Sequence, residues 1–122
     1  ATSPSIRCLD TVLPYAVAAG HGTRLKVGLS EEGFAERPER APHYLARLLE
    51  RGEPAVLCSH GPVLPVLLEA LAGIADSGES PSKITLAEAA RHGIDKGEAL
   101  VAHVVGTGAR ARVVDVERYP AP

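Results

Sequence analysis

The sequence predicts a mixed α/β domain, and three observations carry that expectation. Amphipathic helical patterns alternate with apolar runs too brief to be helices. One such run, Ala55–Cys58, is apolar throughout, as expected of a strand buried on both faces of a parallel sheet. Two β-rich segments flank Gly106-Thr107-Gly108 near the end of the chain, as in an antiparallel hairpin.

Each element has its own signal. Ser3-Pro4 predicts a helix start, with Ser3 as N-cap and Pro4 at the first helical position. Ile6, Leu9, Val12, Leu13, Ala16 and Val17 follow at helical spacing as far as Gly20-His21-Gly22. Leu25, Val27 and Leu29 alternate over 24–29 and predict a short strand. The charged stretch 30–40 reads as a surface loop with room for one helical turn. Leu45, Leu48 and Leu49 share one face of a second helix over 42–51, which Gly52 ends. Residues 62–73 predict a third helix, apolar on nearly all sides, and 76–83 (DSGESPSK) predict a loop. A short helix over 86–91 precedes Gly93. The hairpin takes 99–105 and 111–116 around a loop of four or five residues, and YPAP is irregular.

At 122 residues the chain is one domain, with enough length to bury a core without staples. A net charge of -2 implies no polyanionic partner. Aromatics are scarce, which argues against stacking on single-stranded nucleic acid. Two cysteines, Cys8 and Cys58, make no disulfide framework; both read as buried small hydrophobes in a reducing, cytoplasmic setting. No apolar run approaches a membrane span, and ATSPSIRC is not a signal peptide. The start, which lacks an initiator Met, reads as the middle of something longer.

The stretch VLCSHGPVLP (56–65) places Ser59-His60-Gly61 at the carboxyl end of a predicted strand, where α/β folds bind ligands. A lone histidine there is more often a satisfied polar residue than a catalyst. Metal binding lacks HxxxH, HxH or CxxC spacing. A cysteine phosphatase built on Cys58 needs an arginine at position 64, which is Leu64. A serine hydrolase using Ser59 has the strand–turn–helix context of a G-x-S-x-G elbow but lacks its first glycine. Asp76 or Asp95 with His103 could complete such a triad, but nothing marks them. The last reading is a phosphate site: His60 donates to a phosphoryl oxygen, and the Gly61 N–H adds a helix N-terminus. Such a site needs a further cation, preferably arginine.

The N-terminal stretch Ser3-Pro4-Ser5-Ile6-Arg7-Cys8-Leu9-Asp10-Thr11 has the form S-P-x-x-R-x-x-x-T. Followed about fifty residues later by V-L-C-S-H-G, it resembles the histidine phosphatase superfamily, with its phosphoglycerate-mutase-like fold. The closing Lys96–Val101 segment and the hairpin ending Val116-Glu117-Arg118 look like that family's last two strands. More narrowly, S-P-x-x-R-C-x-x-T-V-x-P and C-S-H-G-P-V-L-P, with Pro65, resemble the C-terminal phosphatase domain of actinobacterial MutT-type Nudix/histidine-phosphatase fusion proteins.

This resemblance implies a three-layer α/β/α sandwich with a mostly parallel sheet ending in the antiparallel hairpin. It implies a phosphohydrolase in which one histidine, in an R-H-G motif, becomes phosphorylated. A second histidine and two arginines hold the phosphoryl oxygens, and a glutamate protonates the leaving group. Arg7 matches the second arginine, His60 the second histidine, and Glu31 the proton donor, with Glu32 as the alternate. Burial and anionic neighbours would keep such a glutamate protonated. Taken alone, Arg7 reads as an ordinary solvated cation, and Glu31-Glu32 as plain surface charge.

Two features depart from the family. Arg91-His92-Gly93 spells RHG, but late in the chain, after His60, and at the end of a helix; it reads as a basic last turn with a glycine cap. The nucleophile and first arginine are therefore expected upstream of Ala1, on the central first strand, which this chain lacks. Residues 1–122 would then be the C-terminal part of one domain, completed by an N-terminal fragment or Nudix domain, and inactive and poorly folded alone. The second departure is Pro62, which removes an N–H that many relatives turn to phosphate.

The fusion match implies a nucleotide substrate for the intact protein: oxidised nucleoside triphosphates or dinucleoside polyphosphates, in cleaning the nucleotide pool. No cofactor is expected for this domain; Mg2+ would serve the Nudix domain. No membrane or nucleic-acid polymer is expected as partner. The non-enzymatic alternative is a pseudo-phosphatase module that binds a phosphorylated ligand without turnover.

Overall fold

The computed structural model describes residues 1–75 and 80–122. The chain is mixed α/β: helices α1 (Ile6–Ala19), α2 (Glu31–Glu36), α3 (Arg40–Arg51), α4 (Leu64–Gly73) and α5 (Pro81–His92), then strands β1 (Ala99–Val105) and β2 (Arg112–Tyr119). Part of the loop expected over 76–83, with Asp76, lies outside the described residues.

Helix α4 is the spine. Leu67 joins Leu29, Ala41, Leu45 and Val63 in one buried cluster, while Leu68 joins Leu86, Ala89 and Val113 in a second. Adjacent residues on a helix point about 100° apart, so an all-round apolar helix can serve two cores. One cluster ties α4 to α3 and the segment before α2; the other ties it to α5 and the hairpin. Truncating a leucine such as Leu67 or Leu86 to alanine would cost about 2–5 kcal/mol.

Several boundaries differ from the sequence expectation. Helix α1 begins at Ile6, with Ser5 rather than Ser3 in the N-cap position. It buries only Cys8 and Ala16 and leaves Ile6 (76%), Leu13 and Val17 (78%) exposed, because its contacts lie along the Cys8 side. Helix α2 replaces the expected loop: Ser30 caps it by accepting the Gly33 N–H at 3.0 Å while donating to the Val27 carbonyl. Helix α4 starts at Leu64, since Gly61–Val63 form a turn that closes on the His60 carbonyl. Helix α5 starts early, at Pro81, because Ser80 accepts from the Lys83 N–H at 3.2 Å. Its end follows expectation, with Arg91 and His92 in the last turn and Gly93 beyond at φ 80°.

The regular ladder is the antiparallel pair β1–β2, with a bulge between His103 and Val104 and a loop over 106–111 that is longer than expected. Gly106 sits at φ 77°, where a Cβ would lie 2.4 Å from the Arg110 carbonyl oxygen. The segments 24–29 and 55–58, expected as strands, reduce to single parallel bridges: Thr2 pairs with Leu25 on one side and Cys58 on the other. Val56, expected to be buried, is exposed. Its segment pairs on one side only, through Val56 and Cys58. The backbone groups of Leu57, on the opposite side by strand alternation, meet no partner among the described residues. No helix among the described residues is long and apolar enough to cross a membrane.

On the exposed face of the hairpin, His103 Nε2 lies 2.8 Å from Glu117 Oε2. The hydrogen bond that His103 donates to Glu117 raises the imidazole above its ordinary value, and the same bond, then one donated by Tyr119, lowers Glu117. The His103 contribution to stability is thus present below the ordinary imidazole value and lost as pH rises through the raised one. The Glu117 contribution is present above the ordinary carboxylate value and lost as pH falls through the lowered one. An NMR titration should find His103 above about 6.5, and Glu117→Gln should bring it back down. A His103 value at or below the ordinary one contradicts the pairing.

Candidate active site

The site is assembled from the backbone outward. Residues Ala1–Ser3 run extended between two neighbours. Thr2 N donates to the Arg24 carbonyl at 2.9 Å, and Lys26 N donates back to the Thr2 carbonyl at 2.9 Å. On the other side Ser3 N donates to the Cys58 carbonyl at 3.0 Å, and Cys58 N to the Ala1 carbonyl at 3.1 Å. This register brings the start of α1 beside Ser59-His60, although Ser5 and His60 are 55 positions apart. The segment leading out of Lys26 turns through Val27–Leu29 and delivers α2, whose first residues are Glu31 and Glu32. Gly33 permits that turn: a Cβ there would lie 2.0 Å from the Val27 carbonyl oxygen.

The result is an open cleft of about 440 Å³ lined by Ser5, Ile6, Arg7, Glu31, Glu32 and His60. The structure therefore brings together Arg7, His60, Glu31 and Glu32, the four side chains that the sequence singled out. The Arg7 guanidinium makes no ion pair among the described residues, so its fork is available to an anion. His60 is held on one edge and open on the other. Its Nε2 lies 3.0 Å from Ser3 Oγ, 3.3 Å from Ser5 Oγ and 3.7 Å from Cys8 Sγ. Its Nδ1 lies 3.9 Å from Glu31 Oε1, too far for a direct hydrogen bond.

Three expectations need correction. Glu31 is not buried: its side chain is 59% exposed against 15% for His60. It stands at the N-terminus of a short exposed turn, where a carboxylate meets water. Gly61 does not open a helix, because α4 begins three residues later; its N–H nevertheless meets no acceptor among the described residues. Gly61 is not among the residues lining the cleft. The Ser59 hydroxyl, the nucleophile of a hydrolase reading, donates to the Leu29 carbonyl at 2.6 Å. His103, the histidine of that reading, is engaged by Glu117.

The hydroxyls of Ser3 and Ser5 on His60 were not singled out as site residues from the sequence. Their signal was the S-P-S spacing itself, which places two serines at the mouth of the helix that carries Arg7. Among the described residues no group of three or more His, Cys, Asp or Glu side chains could hold a metal ion.

Cys58 is held as a thiol. Burial, then hydrogen bonding with Cys8, pushes it up to about 11. A thiol so held is a poor nucleophile at neutral pH. Alkylation of Cys58 by iodoacetamide, mapped by mass spectrometry, should therefore still accelerate between pH 9 and about 11. A rate that levels off near pH 8 contradicts this environment. No protein-family model matches the chain.

Proposed function

We propose that this chain carries the phosphate-holding side of a phosphohydrolase active site of the histidine phosphatase type. The observation that supports it is the convergence of Arg7, His60 and Glu31 from three separate segments on one open cleft. Phosphoryl transfer needs its equatorial oxygens positioned and neutralised more than it needs many covalent groups. In this reading Arg7 and His60 donate to phosphoryl oxygens. Glu31 gives a proton to the leaving oxygen, with Glu32 as the alternate.

No second histidine lines the cleft among the described residues. In this reading the nucleophilic histidine and a second arginine come from a polypeptide segment outside residues 1–122. The open edge at Leu57 and the exposed Val56 support a strand docking there, which would complete a three-layer α/β/α sandwich. The substrate is a phosphate monoester or nucleotide. With a Nudix partner domain and its Mg2+, oxidised nucleoside triphosphates or dinucleoside polyphosphates are the proposed substrates, in the cytoplasm.

The same lack of a second histidine favours one other reading, a pseudo-phosphatase module that binds a phosphorylated ligand without hydrolysis. A serine hydrolase finds no support, since the Ser59 hydroxyl is turned to a backbone carbonyl.

Calorimetric titration with inorganic phosphate tests the binding side. A charge-assisted hydrogen bond is worth about 1.5–3 kcal/mol, so Arg7→Ala or His60→Ala should each weaken binding roughly ten- to a hundredfold. Unchanged affinity in both variants contradicts the proposal. Turnover of a nucleotide or monoester by the intact assembly, abolished by Glu31→Gln with phosphate binding retained, separates the enzyme from the binding module.

A further inference from the structure

We infer that Ser3 is a positioning residue: its buried hydroxyl donates to His60 Nε2 and thereby places the imidazole proton on Nδ1, the nitrogen that faces the cleft. Ser3 is 0% exposed, so its hydroxyl proton must find a partner inside the protein. Its Oγ already accepts from the Ser5 N–H at 3.3 Å. Among the described residues the remaining polar contact of that oxygen is His60 Nε2 at 3.0 Å.

Two arrangements are possible. If Nε2 carried the proton, Ser3 Oγ would accept twice and its own O–H would be left buried without an acceptor among the described residues. An unmade buried hydrogen bond of this kind is costly. If Nε2 carries the lone pair, Ser3 donates to it and every group is satisfied. The Cys8 thiol does not compete, because it donates to the Ser59 carbonyl at 3.5 Å. Ser5 Oγ, at 3.3 Å, serves either tautomer, since its hydroxyl can donate or accept, so the choice rests on Ser3.

The consequence is directional. Nδ1–H faces the side on which Glu31 Oε1 stands 3.9 Å away, a gap that leaves the donor free for a ligand oxygen. His60 can therefore hold a phosphoryl oxygen as a neutral donor, without first being protonated. That consequence rests on the proposed phosphate site; the tautomer itself does not.

Long-range 1H–15N spectra of the uniformly labelled protein, at alkaline pH, read the tautomer directly. The wild type should show the Nδ1–H pattern for His60. Ser3→Ala should shift it toward a mixture or toward Nε2–H, and Ser3→Thr should restore Nδ1–H. An Nε2–H tautomer in the wild type overturns the inference, as does a folded Ser3→Ala protein that keeps pure Nδ1–H. The wild-type spectrum decides alone if neither variant folds. Inorganic phosphate added to the same sample separates the two ideas. An Nδ1–H signal that ignores phosphate upholds the tautomer and counts against the phosphate reading.

Discussion

The structure depends on a short piece of backbone, Ala1–Ser3, hydrogen-bonded on both sides at once. Its bonds to Arg24 and Lys26 on one flank and to Cys58 on the other fix three otherwise separate segments in one register. Everything at the cleft hangs from that register. It sets where α1 begins, and so where Arg7 stands. It fixes Ser3 against His60, and it starts the Lys26–Leu29 turn that delivers Glu31. The buried Thr2 and Ser3 side chains mark the place where this register is sealed from water.

The larger packing serves the same end from a distance. Leu67 and Leu68 divide α4 between two cores, so the helix that follows His60 is anchored on both sides. The His60 ring is half enclosed by Ser3, Ser5 and Cys8. Arg7 and Glu31 stand on the exposed sides of their helices. The cleft thus has one enclosed wall, at His60, and two exposed arms, at Arg7 and Glu31. A phosphoryl group sitting against the wall would meet a cation and a proton donor from different directions, as transfer to a leaving oxygen requires.

Much of this was legible in the sequence, for identifiable reasons. Glycines at 20, 52 and 93 end their helices at positive φ, as their placement after apolar-periodic runs predicts. That Arg7 and His60 would meet was legible because two short motifs around them each carry a recognisable order of residue types. What was not legible was decided by tertiary contact. The alternation of Leu25, Val27 and Leu29 predicts a strand, but the Lys26 N–H pairs with Thr2 while its carbonyl already accepts from the Leu29 N–H, and the resulting turn buries Leu29 but leaves Leu25 and Val27 exposed. The apolar run 55–58 predicts burial on both faces, yet pairing on one side leaves Val56 in water. Glu31 was expected to be buried because proton donors commonly are, but the Ser30 cap begins a helix too short to cover it.

The most direct measurement is a crystal of the protein soaked with tungstate, an oxyanion with a strong anomalous signal and the tetrahedral shape of phosphate. The account predicts an anomalous peak in the cleft, within hydrogen-bond reach of His60 Nδ1 and the Arg7 guanidinium. A clear lattice-free cleft with no peak, or a peak only at other basic residues, would contradict it.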